Sequence, residues 1–399
     1  MVAAAVSSSL MPVRAGTGLS TLPDPYAGAE EAAAAARAGL DGGGCDLAVL
    51  FASGTHLAAP ETTLAAVQEV LAPGQLIGCG AAGVLAGGQE IEEGTGVAVW
   101  AASLGEGSAG AFHATVEPLE DEGGGELTGM PDLDGAAGVV LLADPYTFPT
   151  DPVLRFLSER TPMLPLLGGL ASGRSAAGGG VLFLGDEVIA EGAVGVRFDG
   201  VEMLPCVSQG AAPIGPELTI TSAEGNVISE LAGQPALSRL REAIEALSDA
   251  ERGLVDGGLL MGIVIDPNKP EYEHGDFLVR GLAGADPYSG RIVVGTDVRP
   301  GQVVRLHARD AASADRDLRE ALGIRMRALG GRVPAGALVF ACNGRGEAMF
   351  GCPDHDAAAI ERELAGAPAA GFFAAGEIGP VGGEYFLHGF TATVAVFGP

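Results

Sequence analysis

Cys342 closes an apolar run that begins at Gly336 and is followed by Asn343-Gly344-Arg345-Gly346. A thiol at the end of a buried strand, beside an arginine set between glycines, allows two kinds of chemistry. Arg345 can clamp a carboxylate with its planar fork, the glycines leaving room for a ligand to approach the backbone. Alternatively Cys342 can act as a nucleophile, which requires a base and an orienting group. His388 and Glu377 are the candidates for those roles. Glu377, in Gly376-Glu377-Ile378-Gly379-Pro380, reads as an acid held in a turn, where it can accept a ligand ammonium group. His388 reads as lying near the start of the last strand, able to hydrogen-bond a ligand. The plainer alternatives are an inert buried thiol, an arginine that satisfies loop carbonyls, an acid that caps a backbone N–H and a structural histidine. His56, after Ser53-Gly54-Thr55, is at another strand end and is expected to line the same cleft. The Gly-rich runs Gly78 to Gly83 and Gly168 to Arg174 can present backbone N–H groups to an anion, or can serve only close packing. The candidate ligand-binding set is therefore Arg345, Glu377, His388, Cys342, Asn343, His56 and Arg174.

Composition excludes much else. The 399 residues carry 22 basic and 51 acidic side chains, a net charge of −29, which repels phosphate backbones and anionic lipid. Nucleic acid and membrane are not expected partners. Lys269 is the only lysine, and no GK[ST] run exists, so a P-loop is excluded. Neither Gly-rich run has dinucleotide-binding spacing. The five cysteines, Cys45, Cys79, Cys206, Cys342 and Cys352, contain no CxxC pair and read as reduced thiols. His355 lies between Asp354 and Asp356, but acids at a helix start are explained by the helix dipole, so no metal and no cofactor are expected. No apolar run is long enough to span a bilayer, and no basic region precedes an apolar stretch at the start. A cytoplasmic location is the expectation.

The elements that must position these residues form a unit repeated three times. Each copy is a buried strand, a helix, a Gly-containing strand and a last strand that begins near glycine. The first copy starts at Asp46-Leu47-Ala48-Val49-Leu50-Phe51, with a helix from about Pro60 to Leu71. The second starts at Gly138-Val139-Val140-Leu141-Leu142, with a helix from about Asp151 to Arg160 and a hairpin through Val181 to Ile189. The third starts at Gly336 and has a helix from about Asp354 to Leu364. Between the second and third copies a different region reads as several strands with helices at Ala236 to Leu247 and Ala312 to Leu329. Leu119 to Asp134, acidic and rich in glycine, reads as a linker or loop. The fold class expected is α/β, with α+β possible: repeated strand–helix–strand–strand units forming two related layered sheet domains.

The segments Glu191-Gly192-Ala193-Val194-Gly195-Val196, Phe340-Ala341-Cys342-Asn343-Gly344-Arg345-Gly346, Phe372-Phe373-Ala374-Ala375-Gly376-Glu377-Ile378-Gly379-Pro380 and Phe386-Leu387-His388 together resemble the FIST family. The ordered set covers about Gly44 to Phe397. The resemblance implies a sensory module that binds small molecules such as amino acids. It also implies an N-terminal FIST domain over 45–199 and a C-terminal FIST domain over 200–399, with 1–44 an extension holding an Ala-rich helix. Family members are often fused to signalling domains, whereas none is recognised here. The expectation is a binding protein without a fused output domain that passes its signal to a protein partner. The alternatives are a thiol-dependent hydrolase or transferase using Cys342, or a protein-interaction scaffold.

Overall fold

The computed structural model describes residues 12–118, 125–173, 180–255, 258–272 and 275–399. It is a mixed α/β fold of layered sheets, and the three sequence copies each build one sheet. In copy one, Leu47–Ser53 pairs parallel with Gln75–Gly80 and antiparallel with Gly96–Ser103. Copy two repeats this with Gly138–Ala143, Leu166–Leu170 and Ala193–Asp199. Copy three repeats it with Gly336–Cys342, Ala369–Ala374 and Thr391–Phe397. An antiparallel strand outside each trio completes one side: Arg14–Ser20, Ser108–Pro118 and Met203–Gln209. The first of each trio is buried almost throughout, because its helix covers one face and the other sheets cover the other.

The other side of each sheet is completed by a hairpin from a different copy. Val84–Ala86 and Gln89–Ile91 leave copy one and pair with Ala369–Ala374 of copy three. Leu182–Leu184 and Glu187–Ile189 leave copy two and pair with Gln75–Gly80 of copy one. Glu377–Val381 and Glu384–His388 leave copy three and pair with Leu166–Leu170 of copy two. The exchange is cyclic. The expected boundary at 199/200 falls between Ala193–Asp199 and Met203–Gln209, and two of the three hairpins cross it.

The inner faces of the three sheets share one core. Phe51 stacks on Phe372 at 5.1 Å, Trp100 meets Phe397 at 5.1 Å, and Phe198 meets Phe397 at 5.2 Å, so each aromatic pair joins different copies. Outside, each sheet carries helices. The Ala-rich helix is Pro25–Ala38, capped by Asp24, whose carboxylate accepts from the Tyr26 and Ala27 N–H groups. Its Ala29, Ala32, Ala33 and Ala36 are fully buried.

The region between copies two and three builds a fourth sheet from Ala211–Glu224, Val303–Arg309, Leu259–Val264, Phe277–Asp286, Arg291–Val294, Val227–Leu231 and Gln234–Pro235. Its own core packs under the helix Ala236–Glu245. The stretch read as a linker holds a strand, Gly125–Thr128, paired with Ser108–Pro118, while 119–124 lie outside the described residues. The reading missed this strand because glycine and acids masked a short edge strand, which tolerates both, while 129–134 hold no helix or strand.

Candidate functional site

The site is built at the end of the first strand of copy three. Cys342 Sγ accepts from the Gly344 N–H at 3.5 Å, and the Arg345 N–H donates to the Cys342 carbonyl at 2.8 Å, which folds 342–345 into a tight turn. The turn sends the Arg345 side chain inward, where it is completely covered. There it meets Asp356, in the first turn of the helix His355–Glu363. Nη2 donates to Oδ1 at 2.9 Å and Nε donates to Oδ2. Burial alone would raise the Asp356 carboxyl, but the Arg345 charge and the bonds from His355 and Arg345 hold it down to about 2. The fork expected to clamp a ligand carboxylate is thus occupied by an internal one. Only Nη1 remains, buried and without a partner among the described residues.

Glu377 begins the strand Glu377–Val381 and is not in a turn. Its Oε2 accepts from the Thr391 hydroxyl at 2.7 Å and the Thr391 N–H at 3.1 Å. Its Oε1 is buried and unpartnered among the described residues. Burial pushes this carboxyl up to about 8, against the pull of Thr391, the Cys342 thiol and Arg345. Burial and the nearby Glu377 push the Cys342 thiol up to about 12. His388 ends the returning strand Glu384–His388, directly across from Glu377. Its Nε2 hydrogen-bonds the Gly379 carbonyl at 3.0 Å, and burial with the charge of Arg280 pushes the ring down to about 4.

The threefold repeat supplies an internal comparison. Where copy three puts Glu377 in the exchanged hairpin, the other hairpins carry Leu182 and Val84, each opposite the matching residue of its host strand. Where the last strands of copies one and two carry Ala98 and Val194 opposite Phe51 and Leu142, copy three carries Thr393 opposite Phe340. Polar groups therefore replace apolar ones at core-facing positions of copy three alone. Gln209 pairs with Thr391, and among the described residues its Oε1 is also buried and unpartnered, as is Thr393 Oγ1. A Cβ added to the neighbouring Gly210 would stand 3.1 Å from Arg345 Nη1. Orphan atoms on Gln209, Arg345, Glu377 and Thr393 thus come from four separate strands and turns that meet at this one end of the core. Buried polar atoms without partners are rare, and a cluster of them marks a place where something else supplies the bonds.

Residues 46–234 match the family profile described as FIST N domain, and residues 236–380 the profile described as FIST C domain. The chain belongs to the FIST family. The uncharacterized protein Rv0628c of Mycobacterium tuberculosis is 46% identical over 386 residues, which cover 96% of this chain and 100% of that protein. The uncharacterized protein Mb0898c of Mycobacterium bovis is 44% identical over 386 residues, which cover 96% of this chain and 99% of its own. FIST domains are associated with signal transduction and small-ligand sensing.

Within this FIST chain the structure brings Cys342, Arg345, Glu377 and His388 together, and leaves others apart. Asn343 is adjacent but points away from the core, with its N–H on the Ala374 carbonyl at 3.0 Å. His56 does not line this site. It is buried between the helices of copy one, with Nδ1 on Thr63 Oγ1 at 3.1 Å and Nε2 on the Leu22 carbonyl at 3.2 Å, so both ring nitrogens are satisfied. A strand-end position is shared by all three copies, and sequence alone did not show that copy one fills it internally. Arg174 lies outside the described residues. Gly78 and Gly168 serve close packing: a Cβ there would stand 2.1 Å from the Leu50 carbonyl oxygen and 1.8 Å from that of Leu141. Sequence reasoning missed Thr391, Thr393 and Gln209, and read Asp356 only as an acid at a helix start. Aligning the three copies position by position would have exposed the two threonines.

Proposed function

We propose that this FIST protein is a receptor for a small polar metabolite, amino-acid-like in size and polarity, held at the copy-three end of the three-sheet core, with its signal read by a protein partner. The observation that carries this reading is the cluster of buried, unpartnered donors and acceptors on Arg345, Glu377, Gln209 and Thr393. Leaving such groups unpaired costs about 1–3 kcal/mol each, so a ligand that completes them recovers that free energy on binding. Arg345 Nη1 calls for an acceptor. Glu377 Oε1 can take a hydroxyl or ammonium donor, or donate when protonated.

Thiol chemistry fits less well. An activated cysteine needs a lowered pKa, and here burial and Glu377 move Cys342 the other way. The base such a mechanism requires, His388, spends Nε2 on a backbone carbonyl.

Thermal unfolding of the full chain against amino acids, organic acids, amines and sugars tests the receptor reading. A ligand at a hundred times its Kd stabilises the native state by about 2.7 kcal/mol, an upward shift of several degrees. The same ligand should give no shift with Glu377→Ala. A folded protein that responds to nothing in the panel removes the reading.

A further inference from the structure

Among the described residues, one charged side chain beside this site has no ion-pair partner. Arg280 lies in Phe277–Asp286, a strand of the fourth sheet, and is 9% exposed. Among the described residues it forms no ion pair. Its one hydrogen bond runs from Nη1 to the carbonyl of its own neighbour, Val279, at 3.1 Å. The fourth sheet reaches the site here: Gln209 Nε2 donates to the Phe277 carbonyl at 2.7 Å, and Phe390, beside the site turn, packs against the cluster that contains Phe277 and Val279. The charges that face Arg280 are Asp151 at the start of the helix Thr150–Arg160, and Glu377 and His388 of the exchanged hairpin. Asp151 is exposed, and water screens it. Burial shifts the Glu377 carboxyl toward its neutral form, burial and the charge of Arg280 do the same for the His388 ring, and the charge of Arg345 is already matched by Asp356. Among the described residues a guanidinium is left nearly enclosed with no ion-pair partner, which a folded protein tolerates only at a cost.

We propose that Arg280 is the anion-binding residue of this site and that the ligand is a small monocarboxylate, its carboxylate paired to Arg280 while its other polar groups meet Arg345 Nη1 and Glu377. The inference rests on the receptor reading and deepens it. One unmatched positive charge calls for one negative charge; a phosphate, with two, would leave an excess inside a protein that already carries −29. That overall charge repels anions at a distance, but the repulsion is screened within about 8–10 Å in physiological salt, whereas a buried pair is not. Arg280 is also the contact by which the fourth sheet would hold the ligand, so binding ties that sheet to the three-sheet body.

Calorimetric titration of the full chain separates the possibilities. The probes are α-amino and α-hydroxy monocarboxylates, their primary amides, and inorganic phosphate. A monocarboxylate should bind the native protein, and its amide and phosphate should bind at least about tenfold more weakly. Arg280→Gln should lose that same factor for the acid, bring acid and amide level, and leave the unliganded melting temperature no lower, because it removes an unmatched buried charge. Arg280→Lys should retain part of the preference. Amides that bind as well as acids to the unaltered protein, or an acid affinity untouched in Arg280→Gln, would overturn the role of Arg280 while leaving the receptor reading in place. Phosphate binding more tightly than any monocarboxylate would overturn the ligand class. No binding by any probe, acid or amide, counts against both.

Discussion

Glu377 and His388 pull stability in opposite directions as pH changes. An ordinary glutamate ionises near 4.5, whereas burial lifts Glu377 to about 8. Between those values the folded protein keeps a proton that the unfolded chain has released. The contribution of Glu377 is therefore fully present below about 4.5 and is lost as pH rises through about 8. His388 is depressed from 6.5 to about 4, so its contribution is present above 6.5 and is lost as pH falls toward 4. Glu377→Gln keeps an acceptor for Thr391 and removes the ionisation. Its urea-unfolding free energy should match the unaltered protein near pH 5 and exceed it near pH 9 by a few kcal/mol, since a tenfold change in an ionisation constant corresponds to about 1.4 kcal/mol. Parallel pH profiles for the two proteins would show that Glu377 ionises as freely as in water. At this scale sequence showed part of the site. The residue types and glycine spacing singled out Cys342, Arg345, Glu377 and His388, but chemistry alone could not say that Asp356, eleven residues beyond Arg345, already occupies its fork. Nor could it find Arg280, because the sheet that carries it is remote in the chain and its proximity is purely tertiary.

The three copies were legible as elements because each opens on an apolar strand and continues with a helix of clear periodicity. The exchanged hairpins were not all visible. Val84–Ala86 and Gln89–Ile91 are three residues each, too short for an alternating pattern to register. Glu377–His388 is interrupted by Gly379, Pro380, Gly382 and Gly383, which read as turn. The edge strand Arg14–Ser20 and the outer strand Ser108–Pro118 are rich in small residues and lack a β-branched run. What sequence did show, with close packing as one of its two readings, is a glycine in the second strand of each copy. Gly78, Gly168 and Gly371 pair with Leu50, Leu141 and Val339 at matching points of the three parallel ladders. A Cβ at Gly371 would stand 1.9 Å from the Val339 carbonyl oxygen, as close as at the other two. That contact is with backbone and cannot be relieved by a rotamer change. Gly371→Ala should destabilise the protein by about 1–3 kcal/mol or more. Gly110→Ala, in Ser108–Pro118 with nothing within 4 Å of its added Cβ, should change stability by no more than about 0.5 kcal/mol. Denaturant titration of the two variants gives the comparison, and equal costs would mean that the ladders can spread to admit a methyl group.

The cyclic exchange makes the three sheets one mechanical unit. The sheet of copy two is completed by Glu377–Val381 from copy three, and that of copy three by Val84–Ala86 from copy one. A chain divided between 199 and 200 would leave the N-terminal part with Leu166–Leu170 as an open edge and with Phe51, Trp100 and Phe198 stripped of Phe372 and Phe397. The C-terminal part would lose the hairpin beside Ala369–Ala374 and the helix cap it brings, where Glu90 accepts from the Ala357 N–H at 2.8 Å. An open strand edge above an uncovered aromatic core favours association over a folded monomer. Neither fragment should fold alone, and co-expression of the two should recover a native complex, because every strand pairing is then available. Far- and near-ultraviolet circular dichroism with urea titration of each fragment, alone and mixed, gives the readout. A cooperative transition and fixed aromatic signals from 200–399 by itself would show that copy three and the fourth sheet form a self-sufficient domain. The ligand site would then have to work without the strand Leu166–Leu170 that seats Glu377 against Gly169. If the mixture alone folds, the site exists only when all three copies close upon one another, and ligand binding is bound to the integrity of the whole ring.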